Sequence, residues 1–299
     1  MGTSERGARR VEQVLKGPHA PWPENVDGAT VASFGAEWSR FDQSEGTFSG
    51  QGREEFFNRY FAVFPWSELP ADSIGADVGC GSGRWAAMVA PRVGKLYAID
   101  PSPDALAVAR KNLATFSNVA VVEASANTMP IDDASLDFAY SLGVLHHVPD
   151  SVAALCAIAA KLKRGGLVLV YIYYSLDNRN EAYRRMWRLS DLARRLISRA
   201  PRRMQALVCG AIACCIYWPL ARSARLLDRM DILPASWPLA LYRSQSLYVL
   251  RTDAYDRFCS PLEKRFSRAE IEDMLRDAGF RGIEFSPFEP YWCAVGRKV

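Results

Sequence analysis

The chain alternates short apolar runs with amphipathic stretches from about residue 70 onward. Runs at 95–99, 119–123, 136–141 and 167–173 are rich in β-branched or aromatic residues and bounded by turn formers, so each reads as a buried strand. Helical spacing lies between them. After the third run of this kind, residues 151–162 read as a helix, and before it Leu106, Ala109 and Leu113 share one face of a helix capped by Ser102 with Pro103 in its first turn. Strands alternating with helices predict a parallel sheet covered on both faces. Near the end, Ser267-Arg268-Ala269-Glu270 is a capping box for a helix carrying Ile271, Met274, Leu275 and Ala278, with Gly279 as its stop. Two last strands, 282–286 and 291–296, flank Pro287-Phe288-Glu289-Pro290.

The candidate chemistry begins at Asp77-Val78-Gly79-Cys80-Gly81-Ser82-Gly83, where an apolar run meets the start of a helix. Glycines there let backbone N–H groups approach a ligand. A dinucleotide fingerprint begun at Gly79 and Gly81 needs a third glycine at position 84, which is Arg84. The pattern acidic-x-G-x-G-x-G instead resembles the first motif of class I S-adenosylmethionine-dependent methyltransferases. Asp100, at the end of the next run and 21 residues past Gly79, suits a ribose clamp. Leu142-Gly143-Val144-Leu145-His146-His147 resembles the strand-four exit of small-molecule and lipid methyltransferases.

This resemblance covers about residues 70–175 and 266–299. It implies a Rossmann-like seven-stranded α/β sheet of order 3-2-1-4-5-7-6, strand 7 antiparallel, with a mainly helical insertion between strand 5 and the last helix. It also implies S-adenosylmethionine as cofactor. Asp77, Gly79, Cys80, Gly81 and Gly83 would shape the turn around the methionine part, Asp100 and Pro101 would hold the ribose, and Ser125, Ala126 and Asn127 would border the adenine. Ser125 stands where the family commonly has an acid. Leu142 and Gly143 would lie beneath the reacting sulfur. His146 is the first candidate for a general base and His147 the second. The segment Phe34-Gly35-Ala36-Glu37-Trp38-Ser39-Arg40-Phe41 resembles a leader that folds over the cofactor, and Trp38 and Phe41 are expected on one helix face.

Residues 1–27 have no apolar core of a signal peptide and are expected to be disordered, 28–69 to form lid helices, and 176–265 an acceptor cap. A cytoplasmic protein is expected. Composition is ordinary for a globular chain, 49% hydrophobic and 23% charged over 299 residues. Seven cysteines without metal spacing and three histidines predict reduced thiols and no metal site. Net charge is +4, yet residues 184–225 hold ten arginines against Asp191 alone. Met186, Leu189, Ala193, Leu196, Ile197 and Ala200 form an apolar stripe opposite Arg184, Arg188, Arg195 and Arg199. The uncharged run 206–221 is shorter than a membrane span and contains Pro219, which is expected to break it. Two readings stay open for this segment: a buried cap with a solvated basic face, or an element at an anionic membrane surface. No nucleic acid is expected. The polar and aromatic stretches Tyr242 to Ser246 and Asp253 to Arg265 are expected either to line an acceptor pocket or to form surface ion pairs that pin the insertion.

The function expected is methyl transfer to a hydrophobic small molecule, a lipid or a lipid-linked glycan, with oxygen favoured as the methylated atom. The alternative is a noncatalytic cofactor-binding or membrane-associated regulator.

Overall fold

Seven strands form at Ile74–Val78 (β1), Lys95–Asp100 (β2), Val119–Glu123 (β3), Leu136–Leu142 (β4), Leu162–Tyr171 (β5), Phe280–Phe285 (β6) and Cys293–Lys298 (β7). The computed structural model describes residues 24–41, 51–179, 181–234 and 237–299. His19 and most of the 1–27 stretch lie outside the described residues. The strands make one sheet of order β3-β2-β1-β4-β5-β7-β6, parallel except for β7, which pairs antiparallel with both β5 and β6. This is the order the sequence implied.

Local chemistry fixes the centre of the sheet. A Cβ at Gly75 would sit 2.0 Å from the ring of Phe138, so glycine in β1 lets the fully buried Phe138 of β4 cross over it. Ser141 Oγ donates to the Val78 carbonyl at 2.8 Å and ties the ends of β1 and β4 together. β5 starts five residues before the apolar run, because Leu162 pairs with Leu136 before a register shift restores Phe138 opposite Leu167. The last two strands are offset from their expected bounds because Cys293 to Arg297 must pair with Tyr171 to Leu167.

Helices cover both faces. α1 is Gly28–Arg40, α2 Gln51–Tyr60, α3 Ala86–Val89, α4 Pro103–Asn112, α5 Ser151–Lys161, α6 Glu181–Ile197, α7 Arg202–Ile212, α8 Trp218–Arg229, α9 Leu247–Cys259 and α10 Arg268–Asp277. Ser102 Oγ accepts from Ala105 N at the start of α4, and Ser267 and Glu270 complete the capping box of α10. One core layer packs Leu155 and Ile158 of α5 with Ile271 and Leu275 of α10. The other packs Leu106 of α4 with Phe57, Phe61 and Trp85. Each such side chain, fully buried, contributes about 1.5–3 kcal/mol.

The segment between β5 and α10 departs from expectation twice. Pro219 does not break the apolar run. A π turn at Ala213–Tyr217, in which Trp218 N–H reaches back to the Ala213 carbonyl, widens the helix just ahead of the proline, whose ring would otherwise meet a regular turn. α7, the π turn and α8 therefore form one 28-residue helix, long and apolar enough by length and composition to cross a membrane. Gln205, Cys209, Ala213, Ala221 and Ala224 are its buried positions, and Cys209 Sγ lies 3.5 Å from Cys259 Sγ of α9.

α6 is turned the other way round from a buried cap. Its inward face is polar: Asp191 and Arg194 are both buried, their ion pair is 2.8 Å, and Arg194 Nη1 donates to the Ser260 carbonyl at 2.9 Å. Met186, Leu189, Leu192 and Leu196 point outward, beside the exposed Arg185, Arg188 and Arg195. The apolar stripe is thus at the surface, while Ala193 and Ile197 at its margin reach the small core around Phe41, Tyr255 and Phe258.

Candidate active site

The parallel strands end at one edge of the sheet, and the glycine turn after β1 lies there. Gly79 (φ +83°) and Gly81 (φ +54°) take left-handed conformations. A Cβ on Gly79 would meet Val144 at 2.3 Å, and one on Gly81 would meet Trp38 at 2.8 Å. Both glycines face a cleft of about 870 Å³, closed on one side by α1 and on the other by the exits of β4 and β5.

Asp100 anchors the turn. Its Oδ2 accepts from Gly81 N–H and its Oδ1 from Ser102 N–H, each at 2.9 Å. Burial pushes its pKa up to about 6, against the pull of those two N–H groups. Gly79, Gly81, Asp100, Pro101, Leu142, Gly143 and His147 all line the cleft. These are half of the residues the sequence nominated.

The other half lie elsewhere. Asp77, Cys80 and Gly83 are buried behind the turn. Asp77 Oδ2 has no hydrogen-bond partner among the described residues, and burial raises the Asp77 pKa to about 8, opposed by the neighbouring Tyr140 hydroxyl. Ser125, Ala126 and Asn127 are not on the cleft wall. Ser125 Oγ and Thr128 Oγ1 close a turn on each other at 3.1 Å, and Asn127 Oδ1 accepts from Asn25 Nδ2, which brings Val26 and Asp27 to the wall instead. His146 is fully buried and faces away from the cleft; its ring stacks on Tyr173 with centroids 3.7 Å apart, and Nδ1 accepts from Tyr173 N–H at 3.3 Å.

His147 is the histidine at the cleft. Its Nδ1 is 2.6 Å from the Leu262 carbonyl, which can only accept, so Nδ1 carries the proton and Nε2 is left as the acceptor nitrogen. Nε2 has no hydrogen-bond partner among the described residues. Burial lowers the pKa of both histidines, so each is neutral at neutral pH.

α1 carries Phe34 and Trp38 of the leader segment, together with Thr30, which was not nominated, to the cleft wall. Thr30, Phe34 and Trp38 recur every four residues and so share a face over the cleft, a signal present in the sequence. Trp38 and Phe41 part company at the helix end: Trp38 lines the cleft, whereas Phe41 packs on Tyr248 and Tyr255. Arg84, the residue that departs from the dinucleotide pattern, stacks its guanidinium 4.6 Å from the Trp85 ring centroid and also lines the cleft.

A second chamber of about 600 Å³ adjoins the first. Trp38, Tyr60, Arg84, Tyr171, Tyr173 and Asp256 line both. Its far wall comes from α9 through Asp253 and Asp256, the former accepting from the Tyr242 hydroxyl and the latter from Tyr173 at 2.8 Å. Chamber lining and ion pairing thus fall to neighbouring residues of this stretch. Arg257 and Arg265 are spent on the buried Glu263, at 3.1 and 2.9 Å, and so pin α9 to the chain that follows it.

Residues 76–170 match a family model described as a methyltransferase domain. A demethylmenaquinone methyltransferase of Staphylococcus aureus is 34% identical over 96 residues, which are 31% of this chain and 40% of that protein. The chain thus spans less than half the length of the curated relatives it matches. Among solved structures, an S-adenosylmethionine-dependent methyltransferase from Aquifex aeolicus aligns at 15% identity over 83% of this chain and 92% of its own, with a TM-score of 0.45. A Thermotoga maritima protein titled as an S-adenosylmethionine-dependent methyltransferase aligns at 18% identity over 89% and 100%, with a TM-score of 0.43. The strand order observed here is the one the resemblance to class I methyltransferases implied, and the family match over β1 to β5 makes residues 76–170 similar to a methyltransferase domain.

Proposed function

We propose that the protein transfers a methyl group from S-adenosylmethionine to a hydrophobic small molecule or lipid that reaches the second chamber from a membrane surface. The observation that carries the reading is the continuity of the two chambers: a glycine-floored cleft with an acid at the ribose position opens directly on a chamber walled by aromatic rings. The residues suit the cofactor. Gly79 and Gly81 line the cleft in left-handed conformations, and Asp100 is held in place through backbone N–H groups.

When bound, S-adenosylmethionine supplies a methyl group already activated on a sulfonium. Positioning is then the main task of the protein. Asp100 would accept from the ribose hydroxyls, Leu142 and Gly143 would support the reacting end, and Tyr60 and Tyr171, whose rings are 5.0 Å apart, would wall the path toward the acceptor. His147 Nε2 is the candidate to take a proton from the acceptor. The sequence favours oxygen as the methylated atom.

Membrane contact belongs to the same proposal. Among the described residues thirteen large hydrophobic side chains are exposed, and eleven of them lie between Met186 and Ile232. Arginines flank them, an arrangement suited to anionic headgroups. The location proposed is cytoplasmic and peripheral at the membrane surface, with residues 176–265 as the acceptor cap.

The test is calorimetric titration of the full chain with S-adenosylmethionine and S-adenosylhomocysteine. Binding of both, lost in Asp100→Ala, supports the reading and leads to an acceptor screen with labelled methyl donor. Absence of binding by well-folded protein overturns it.

A further inference from the structure

The chamber beside the cofactor cleft is acidic to a degree that a neutral acceptor does not explain. Asp253 and Asp256 stand one turn apart on the same face of α9, and Glu37 of α1 lines the same space. Glu37 is only 2% exposed, and its Oε1 has no hydrogen-bond partner among the described residues. The Tyr242 and Tyr173 hydroxyls each occupy one oxygen of Asp253 and Asp256. Arg84 contributes a guanidinium to the wall. Behind α9, Arg257 and Arg265 share the single buried carboxylate of Glu263, so the whole neighbourhood has four carboxylates and three guanidiniums.

We propose that this chamber binds its acceptor through a protonated amine, held between Glu37, Asp253 and Asp256 and the rings of Phe56, Tyr60 and Tyr171, and that the methylated atom is nitrogen. The inference rests on the methyltransferase reading and replaces its expected oxygen with nitrogen. Three carboxylates buried together repel one another and lose hydration, a cost that an ammonium group removes and a hydroxyl group does not. The same burial and mutual repulsion raise the pKa of all three, that of Asp253 to about 6. Aromatic faces add cation–π attraction for an ammonium, which is stronger once water is excluded. Glu37 lines a chamber with aromatic walls and has a buried carboxylate oxygen without a partner among the described residues, the character of a group awaiting a donor.

The chemistry balances. The ammonium, held by the carboxylates, gives one proton to His147 Nε2, the proposed base, which frees the nitrogen lone pair. A nitrogen–carbon bond forms as the carbon–sulfur bond to the methyl group breaks, and the electron pair of that bond stays on sulfur. The product is a methylated ammonium and a neutral thioether, and His147 returns its proton to water.

The experiment uses the full chain saturated with S-adenosylhomocysteine and two probes that differ in one group, 2-phenylethylamine and 2-phenylethanol. Calorimetry at pH 7.5 is expected to show the amine binding about tenfold or more tightly than the alcohol, as a charge-assisted contact gives. Glu37→Gln and Asp253→Asn are each expected to weaken the amine by about as much, with S-adenosylhomocysteine affinity unchanged, which also reports that the variants fold. Asp256→Asn, at a residue that borders both chambers, is expected to weaken the amine as well. Equal binding of the two probes overturns the proposal, as does binding of neither at millimolar concentration. A matching loss of S-adenosylhomocysteine affinity in folded variants also overturns it, because the carboxylates then hold the amino group of the cofactor. Failure of the wild-type chain to bind S-adenosylhomocysteine at all sinks the methyltransferase reading itself, a different result.

Discussion

His146 and Tyr173 lie face to face, their ring centroids 3.7 Å apart, with the Tyr173 N–H donated to His146 Nδ1. The stack fills the space between the exits of β4 and β5 and turns His146 away from the cleft, while His147 takes the wall position. With an acceptor from the labelled-methyl screen, His147→Ala is expected to lower kcat by about a hundredfold, the low end of general-base contributions. His146→Asn is expected to keep kcat within about threefold and to lower thermal stability instead, through the lost stacking. Steady-state kinetics beside a melting curve separates the two. Normal turnover in folded His147→Ala would remove the base role.

Asp100 gives the cofactor site a pH dependence. With a pKa pushed up to about 6 by burial, the carboxylate is charged above pH 6 and accepts from ribose hydroxyls; below pH 6 it is protonated and loses part of that capacity. S-adenosylhomocysteine affinity should therefore fall as pH drops from 7.5 to 5, by at most about tenfold per pH unit below the pKa. Asp253 also titrates near pH 6. Asp100→Asn isolates the source: its affinity should be weaker at pH 7.5 and nearly flat with pH. A slope that survives in Asp100→Asn would assign the titration to another group.

Legibility in the sequence follows the range of the interaction. The sheet was readable because each strand is an apolar run bounded by turn formers, and because Ser102, Ser267 and the glycines act within a few residues. Ser125 to Asn127 were misplaced because their position depends on Asn25, about a hundred residues earlier in the chain. α6 shows the limit most plainly. Its amphipathic spacing was visible, but spacing does not say which face turns inward. That choice was made by Asp191 and Arg194, whose ion pair finds the Ser260 carbonyl beyond α9. Adjacent histidines were likewise indistinguishable until Tyr173 and Leu262 gave each its own partner.

Asp77 links the floor of the site to stability. An ordinary aspartate is ionised above about pH 4, whereas burial holds Asp77 protonated up to about 8. Between those values the folded chain binds one more proton than the unfolded chain at this residue. Its contribution to stability is therefore greatest at low pH and declines as pH rises toward 8. Asp77→Asn, which keeps the shape without the titration, is expected to raise Tm at pH 8 by several degrees and by less at pH 5. Calorimetric melting at the two pH values tests this, and equal shifts at both would show that Asp77 does not titrate in this range.

The outward leucines of α6 and α7 make the membrane proposal testable without disturbing the core. Leu189 is 72% exposed and Leu207 75%, so exchanging both for glutamate removes little buried area, and each change should alter stability by no more than about 0.5 kcal/mol. At a lipid surface the same exchange is severe: two apolar anchors become charges that must be dehydrated and that are repelled by anionic headgroups. Arg185, Arg188 and Arg195, exposed beside them, would each add about 1 kcal/mol of attraction at low salt. The wild-type chain should float with phosphatidylglycerol–phosphatidylcholine vesicles, bind less at high salt, and bind weakly to phosphatidylcholine alone. Leu189→Glu/Leu207→Glu should stay in the lipid-free fraction while retaining its melting temperature and its affinity for S-adenosylhomocysteine. No flotation of the wild-type chain with the anionic vesicles, or flotation undiminished in the double variant, would leave the exposed leucines without a role at a membrane.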